Sequence, residues 1–327
     1  MIDRRLRVLQ AIARHGTVTA AAEVCRLTPS AASHQIQALA RELGVALLEP
    51  VGRGVRLTPA ARTLLAHGKS LTAAWERAQA DLAAHRAGDV GGVLRFCGFS
   101  SAAAAVVPRA LEHLRREHPA LRVQLREGEP ARAFDLLASD DADIAVVVAT
   151  PDIPPVTDPA FDQDALYDEP LDVLVGPDHP LVGAADVALS DLAGDPWICS
   201  NPGRAYHQLV TLACASAGFA PDIAHYADEW DTGAALVARG FGVAMVPRLA
   251  DLPTRHDTRR IPISTPPVPI RHVITAVRAG SQGRPTIAAG LEALRHVTAA
   301  APLGLDPEGS EALSSRDRGA QDDPATR

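Results

Sequence analysis

Apolar positions recur at helical spacing through the first ninety residues and then give way to short alternating runs. Leu6, Leu9, Ile12 and Ala13 predict a first helix over Asp3–His15, ended by Gly16. Thr17 is placed to cap a second short helix through Ala20–Val24, its hydroxyl satisfying a free N–H of the first turn. Thr28-Pro29 opens a third helix, with Thr as N-cap and Pro at the first position, where its missing N–H costs nothing. Gly44 is the left-handed residue that closes it. VALLEPVGRGVRL then holds two short apolar runs around Gly52-Arg53-Gly54, a hairpin signature. Thr58-Pro59 repeats the cap-plus-Pro start for a helix expected to reach about Arg86.

On the third helix Ala32, Ile36, Leu39, Ala40 and Leu43 form one stripe. Ser30, Ser33, His34, Gln37 and Arg41 lie opposite it. A helix entering the major groove needs such a face: short hydroxyls permit close approach, and Gln pairs bidentately with adenine, worth ~1–3 kcal/mol of discrimination. On spacing alone a merely solvated face is an equal reading. The neighbours shift the balance, since two helices joined by a turn at Leu27 make a helix-turn-helix, and the hairpin forms a wing with Arg53 at its tip. Along the fourth helix Leu64, Leu71, Trp75, Ala78 and Leu82 recur by threes, fours and sevens, which argues for a partner helix and dimerisation. The alternative is a helix packed on its own domain.

Gly88–Gly92 (GDVGG) reads as a hinge. Beyond it, predicted strands (VLRFCGF, LRVQLRE, DIAVVV, PLDVLVG, WICS, DIAHYAD, GVAMVP, HVITAVR) are interspersed with helices. The helices are SSAAAAVVPRALEHLRREHP, ARAFDLLAS, the stretch from Tyr206 to Gly218, a segment before Gly240, and Thr286–Ala300. Such alternation implies α/β units with a largely parallel sheet. The tail from about Leu305 has too few apolar residues to fold.

Composition narrows the function. Hydrophobic content of 47% and charged content of 22% are those of a soluble globular protein. Apolar runs break well before the ~18 residues of a membrane span, so no membrane partner is expected. MIDRRLRVLQ lacks an apolar h-region, so no secretory signal is expected either. Cys25, Cys97, Cys199 and Cys214 form no CxxC pair, which fits reduced thiols and a cytoplasmic location. Net charge is −7, but residues 1–90 carry 12 Lys+Arg against 7 Asp+Glu, and the rest 20 against 32. A basic head on an acidic body suggests that only the head meets a polyanion. His113 and His118 do not form HExxH, and GFSSA at Gly98–Ala102 lacks the last glycine of a nucleophile elbow. Neither metal nor catalytic residues nor a cofactor are expected, and the chain reads as no enzyme.

Residues 4 to about 300 resemble a LysR-type transcriptional regulator. LRVLQAIARHGTVTAAAEVCRLTPSAASHQIQALARELGVALLEPVGRGVRLTPAARTLL carries the resemblance, followed in order by PRALEHLRREHPALRVQLREG, DADIAVVV, GPDHPLVGAADVALSDLAGDPWI and ALVARGFGVAMVP. The resemblance implies an α+β multidomain chain. A winged helix-turn-helix spans 1–58, a linker helix 59–88, and a two-lobed α/β, periplasmic-binding-protein-like effector domain 89–303, with a disordered tail at 304–327. Lobe I takes 93–166 and 271–300, and lobe II takes 167–270.

It further implies double-stranded operator DNA as partner, contacted by Thr17, Thr28, Pro29, Ser30, Ser33, His34, Gln37 and the wing residue Arg53. His34 stands where the family often has Arg, and Pro50 and Gly54 depart likewise. Fewer phosphate contacts imply a shallower salt dependence, roughly one log unit per lost contact. An effector, with a carboxylate as the candidate, is expected between the lobes at Ser100, Ser101, Gly128, Glu129, Thr150, Asn201, Arg204 and Glu229, at strand and helix ends. Arg204 is placed to fork an anionic group. Self-association as dimer or tetramer is implied, and RNA polymerase is a candidate partner. The alternatives are a solute-binding protein without a DNA role and a redox-responsive regulator using Cys199 and Cys214, the latter inside an apolar helix where a buried small hydrophobe is the commoner role.

Overall fold

The computed structural model describes residues 3–52, 54–85, 90–266 and 268–300. Its first elements are α1 (Arg4–His15), α2 (Val18–Val24), α3 (Pro29–Leu43), the hairpin strands β1 (Leu48–Val51) and β2 (Gly54–Leu57), and α4 (Pro59–Ala84). Local chemistry sets their ends. Asp3 accepts from Arg5 N to cap α1, and Thr17, Thr28 and Thr58 accept from Ala20 N, Ala31 N and Ala61 N to cap α2, α3 and α4. Gly16 and Gly44 close α1 and α3 at φ 74° and 66°, backbone that a Cβ disfavours. Leu9, Ile12, Ala21, Ala32, Ile36, Leu39, Leu47 and Leu65 form one buried cluster under these elements. Each fully buried Leu or Ile contributes ~1.5–3 kcal/mol.

The body continues with β3 (Gly92–Gly98), α5 (Ser100–Ala105), α6 (Val107–Glu117), β4 (Leu121–Glu127), α7 (Pro130–Ala138), β5 (Ile144–Val148) and β6 (Phe161–Val175). Then come β7 (Val187–Ala188), a 3-10 turn (Leu189–Leu192), β8 (Pro196–Cys199), α8 (Ala205–Ser216), β9 (Asp222–Tyr226) and α9 (Trp230–Val237). The last elements are β10 (Ala244–Pro247), β11 (Arg259–Thr265), β12 (Ile270–Arg278) and α10 (Pro285–Ala300).

The chain divides into two compact units, and β6 and β12 each run from one into the other, at Ala165/Leu166 and Val273/Ile274. The first unit holds the head, α4 and lobe I. In it β4, β3 and β5 are parallel, with β12 beside β5. Phe134 and Phe161 meet edge-on in its core at 4.9 Å between ring centroids. The second unit centres on Leu171, Val173, Trp197, Val210, Met245 and Ile261. There β8 and β9 are parallel, whereas β6 is antiparallel to both β10 and β11.

Three expectations change. The sheet is mixed rather than largely parallel, because β6 takes antiparallel neighbours from segments far along the chain. The helix expected over 100–119 is two helices, α5 and α6, broken at Val106. Pro108 explains the break: it lacks an N–H and its ring clashes with the carbonyl four residues back, so it sits in the first turn of a new helix instead. Strand β6 begins nine residues before the apolar run PLDVLVG that announced it. The tail at 304–327, and Gly88 and Asp89 of the GDVGG hinge, lie outside the described residues.

Within the first unit α4 is tied to lobe I through buried ions. Arg278 Nε bonds Glu76 Oε1 at 3.1 Å, and Arg284 Nη2 lies 2.9 Å from Glu76 Oε2. Arg278 also reaches Asp143 Oδ1 at 3.3 Å and the Ala142 carbonyl at 2.7 Å. Gly280, at φ 80°, lies so close to α4 that an added Cβ would sit 2.5 Å from the Ala73 carbonyl oxygen. Only glycine permits that approach.

Candidate nucleic-acid interface and effector site

The reading helix α3 is held at both ends by its own sequence, Thr28 at the start and Gly44 at the finish. Its apolar side supplies Ala32, Ile36 and Leu39 to the head's core. Opposite, Pro29, Ser30, His34 and Gln37 are exposed and Ser33 is half-buried. No charged side chain occurs on α3 before Arg41 and Glu42, and Glu42 is paired with Arg5 at 2.7 Å. The face is therefore a run of hydroxyl, amide and imidazole groups with one arginine at its end. Thr17 and Thr28 are exposed, and their oxygens accept the capping N–H groups at 3.1 Å. Each hydroxyl keeps its proton to donate.

The wing pairs Leu48 with Leu57 and Val51 with Gly54. Arg56 is neutralised across the hairpin by Glu49 at 2.8 Å. Arg53, the expected wing contact, lies outside the described residues. On α4, Leu71, Trp75 and Leu82 are 60%, 44% and 65% exposed, an apolar stripe no described residue covers. Ala78 is half-buried, and Leu64 packs instead against the head's own core.

The eight expected effector residues separate by unit. In the first, Ser100 is exposed at the start of α5, while Ser101 is buried. Gly128 donates its N–H to the Gly98 carbonyl at 3.0 Å, and a Cβ there would come 3.2 Å from Cys97 Sγ. Glu129 is exposed at the N-cap of α7. Thr150, just past β5, is half-buried with an Oγ1 that finds no hydrogen-bond partner. In the second unit Asn201 bonds Asp228 through its backbone and side-chain nitrogens, both at 3.0 Å. Arg204 Nη2 lies 3.3 Å from Asp228 Oδ2, so the guanidinium expected to fork a ligand already faces a carboxylate. Hydrogen bonds from the Asn201 backbone and side chain, and the charge of Arg204, hold the Asp228 carboxyl below the usual carboxylate range. Glu229 is exposed at the N-cap of α9.

Sequence reasoning passed over Ser200. Its side chain is buried at the end of β8, with an Oγ that has no partner. Only the strand ending at WICS signalled it. Among the described residues no group of His, Cys, Asp and Glu is placed to hold a metal ion, and no helix is long and apolar enough to cross a membrane.

A family model of the LysR substrate binding domain matches residues 87–299, and one of bacterial regulatory helix-turn-helix proteins of the lysR family matches residues 4–62. The chain belongs to the LysR family of transcriptional regulators. The transcriptional dual regulator GltC of Bacillus subtilis (strain 168) is 29% identical over 271 residues, 81% of this chain and 87% of that protein. The DNA-binding transcriptional dual regulator OxyR of Escherichia coli (strain K12) is 28% identical over 259 residues, 77% and 81% of the two chains. A full-length OxyR variant from Pseudomonas aeruginosa matches with a TM-score of 0.61 at 24% identity, over 90% of this chain and 94% of that one. Full-length BenM matches with a TM-score of 0.56 at 25% identity, over 91% and 96%.

LysR regulators bind DNA and small-molecule effectors and are not enzymes. A helix-turn-helix match at 4–62 argues against a solute-binding protein without a DNA role. For the redox alternative, Cys199 and Cys214 are reduced and buried in one apolar cluster. Burial raises both thiols, that of Cys214 to about 12, which suppresses the reactive thiolate.

Proposed function

We propose that this LysR regulator reads operator DNA by inserting α3 into the major groove, as an oligomer joined through α4, and that a small carboxylate metabolite controls it. The observation that carries the reading is the face of exposed Pro29, Ser30, His34 and Gln37 and half-buried Ser33, without Asp, Glu, Lys or Arg among them, on a helix capped at both ends. Phosphate contacts alone would call for cations there, whereas base edges call for hydroxyl, amide and imidazole groups. The exposed stripe of Leu71, Trp75 and Leu82 supports pairing of α4 with a second copy. Selection from randomised duplexes by the full-length protein tests the DNA reading: a motif with two-fold symmetry supports it, and no enrichment sinks it.

For the effector, the support is a buried hydroxyl oxygen without a hydrogen-bond partner, Thr150 Oγ1, just past the C-terminal end of the parallel strand β5. Buried polar atoms without partners are rare in native proteins and suit a ligand's oxygens. Because Asp228 already engages Arg204, a carboxylate is held by hydroxyl and backbone N–H groups rather than by that guanidinium. A thermal-shift screen of small carboxylates against their amides, repeated on Thr150→Val, tests this. Stabilisation by a carboxylate that the substitution weakens is the expected result; stabilisation unchanged in the variant contradicts it.

A further inference from the structure

Helix α7 has Gly128-Glu129 before its first turn and a cluster of acidic and carbonyl oxygens after its middle. Those oxygens meet the head. Arg14 Nη1 lies 2.6 Å from Asp135 Oδ1, and His15 Nε2 lies 3.1 Å from the same oxygen. Arg26 Nη2 reaches Asp141 Oδ1 at 3.0 Å, and Arg7 Nη1 reaches the Ser139 carbonyl at 3.4 Å. Arg14 also lies over the Phe161 ring, 5.6 Å from its centroid. On α4, Lys69 Nζ bonds both oxygens of Asp158 at 2.8 and 3.0 Å. The basic head and the acidic body meet here, charge against charge.

The acidic side of this contact is built firmly. Asp140 turns the chain at φ 64°, Ser139 Oγ bonds Asp141 Oδ2 at 2.9 Å, and Arg95 and Arg278 grip Asp143 from behind. A cavity of about 320 Å³ lies in the contact, lined by Arg4, Arg7, Arg14, Arg26 and Cys25 facing Asp135 and Asp141. The exposed groups of α3, Ser30, His34 and Gln37, take no part in its lining. Ion pairs over a cavity hold an orientation yet separate readily. The exposed Arg26–Asp141 pair adds little, whereas removing one partner from the buried Asp135 leaves the other uncompensated.

We infer that the C-terminal end of α7 and the turn after it form an ionic docking surface for the reader head of the same chain, so that the position of α7 sets the head's orientation. Asp135 is the positioning residue, and both of its hydrogen-bonded side-chain partners, Arg14 and His15, lie in the head. The regulatory part rests on the proposed effector role of Gly128 and Glu129. From there α7 spans roughly 13 Å to the head contact, a rigid lever about two and a half turns long. A ligand that moves one end moves the other.

Cys25 reports on docking because it lines the cavity. Iodoacetamide labelling of Cys25 in the native full-length protein, read by peptide mass spectrometry, is the experiment. Asp135→Asn and Asp141→Arg are each expected to speed labelling roughly tenfold by opening the contact. Adding Arg26→Asp to Asp141→Arg restores opposite charges and returns the rate to within about twofold of the parent. Rescue by the swapped pair is a result that mere destabilisation of the head does not produce. Unchanged labelling in both single variants, or a swapped pair no slower than Asp141→Arg alone, overturns the proposal. Failure to bind DNA would overturn the functional reading and leave the docking result standing.

Discussion

Replacing Asp143 with Asn keeps the shape of a buried side chain and removes its charge. The carboxylate accepts from Arg95 N at 2.9 Å, from Arg95 Nε and Nη2 at 2.9 Å each, and from Arg278 Nη2 at 3.3 Å. Asp143 is 6% exposed, so water offers little compensation. Breaking a buried pair from one side costs ~3–5 kcal/mol. The lower end, about 3 kcal/mol, applies because Arg95 is partly exposed and Arg278 keeps Glu76 and the Ala142 carbonyl. For a body of this size that lowers the unfolding midpoint by roughly 6–12 °C.

The pH dependence follows from the same contacts. Burial pushes the Asp143 carboxyl up, but the hydrogen bonds from Arg95 and the charges of Arg278 and Arg95 outweigh it and hold the group below the usual range. A depressed folded-state pKa stabilises above the unfolded value of about 3.9 and loses that stabilisation as pH falls through the folded one. Thermal melts of parent and variant should therefore differ by a constant amount between about pH 5 and 8 and converge below about pH 4. A midpoint within about 2 °C of the parent at neutral pH would refute the claim that this ion cluster anchors lobe I and α4.

Thr28→Ala removes the cap of α3 and should cost ~1 kcal/mol in chemical denaturation of the full chain, whereas Thr28→Ser should cost little; equal losses would count against the capping account. Leu71→Glu with Trp75→Glu places charge on the exposed stripe of α4, and sedimentation should shift toward monomer; an unchanged oligomer would clear that stripe of a role in pairing. Burial raises all four thiols, those of Cys97 and Cys214 to about 11 and about 12. Alkylation of the native protein at pH 8 should accordingly reach the half-buried Cys25 first, and early modification of Cys199 or Cys214 would reopen the redox reading.

What the sequence revealed was chemistry decided within a few residues. Thr17, Thr28 and Thr58 cap helices because a hydroxyl beside a first turn needs no distant help, and Gly16 and Gly44 end them for an equally local reason. Pro108 should have split the helix over 100–119, but the apolar pattern continues across it and masked the break. The pairing of β6 with β10 and β11 joins segments some seventy to ninety positions apart, and no period along the chain encodes it. The site follows the same division. The polar face of α3 is legible on a helical wheel. The carboxylate of Asp228 that occupies Arg204 is not, nor is the lack of a partner for Ser200 Oγ, because both depend on neighbours brought in by the fold.

The central claim is that Ser33 and Gln37 read bases. Its most direct test is the ratio of affinities for the selected motif and for random duplex at one fixed salt concentration, measured for the parent and for Ser33→Ala/Gln37→Ala. The account predicts that the ratio falls roughly ten- to a hundredfold, as loss of one or two base contacts at ~1–3 kcal/mol each requires, with affinity for random duplex nearly unchanged. A double variant that keeps the parent's ratio contradicts the account, because α3 would then hold DNA without reading it.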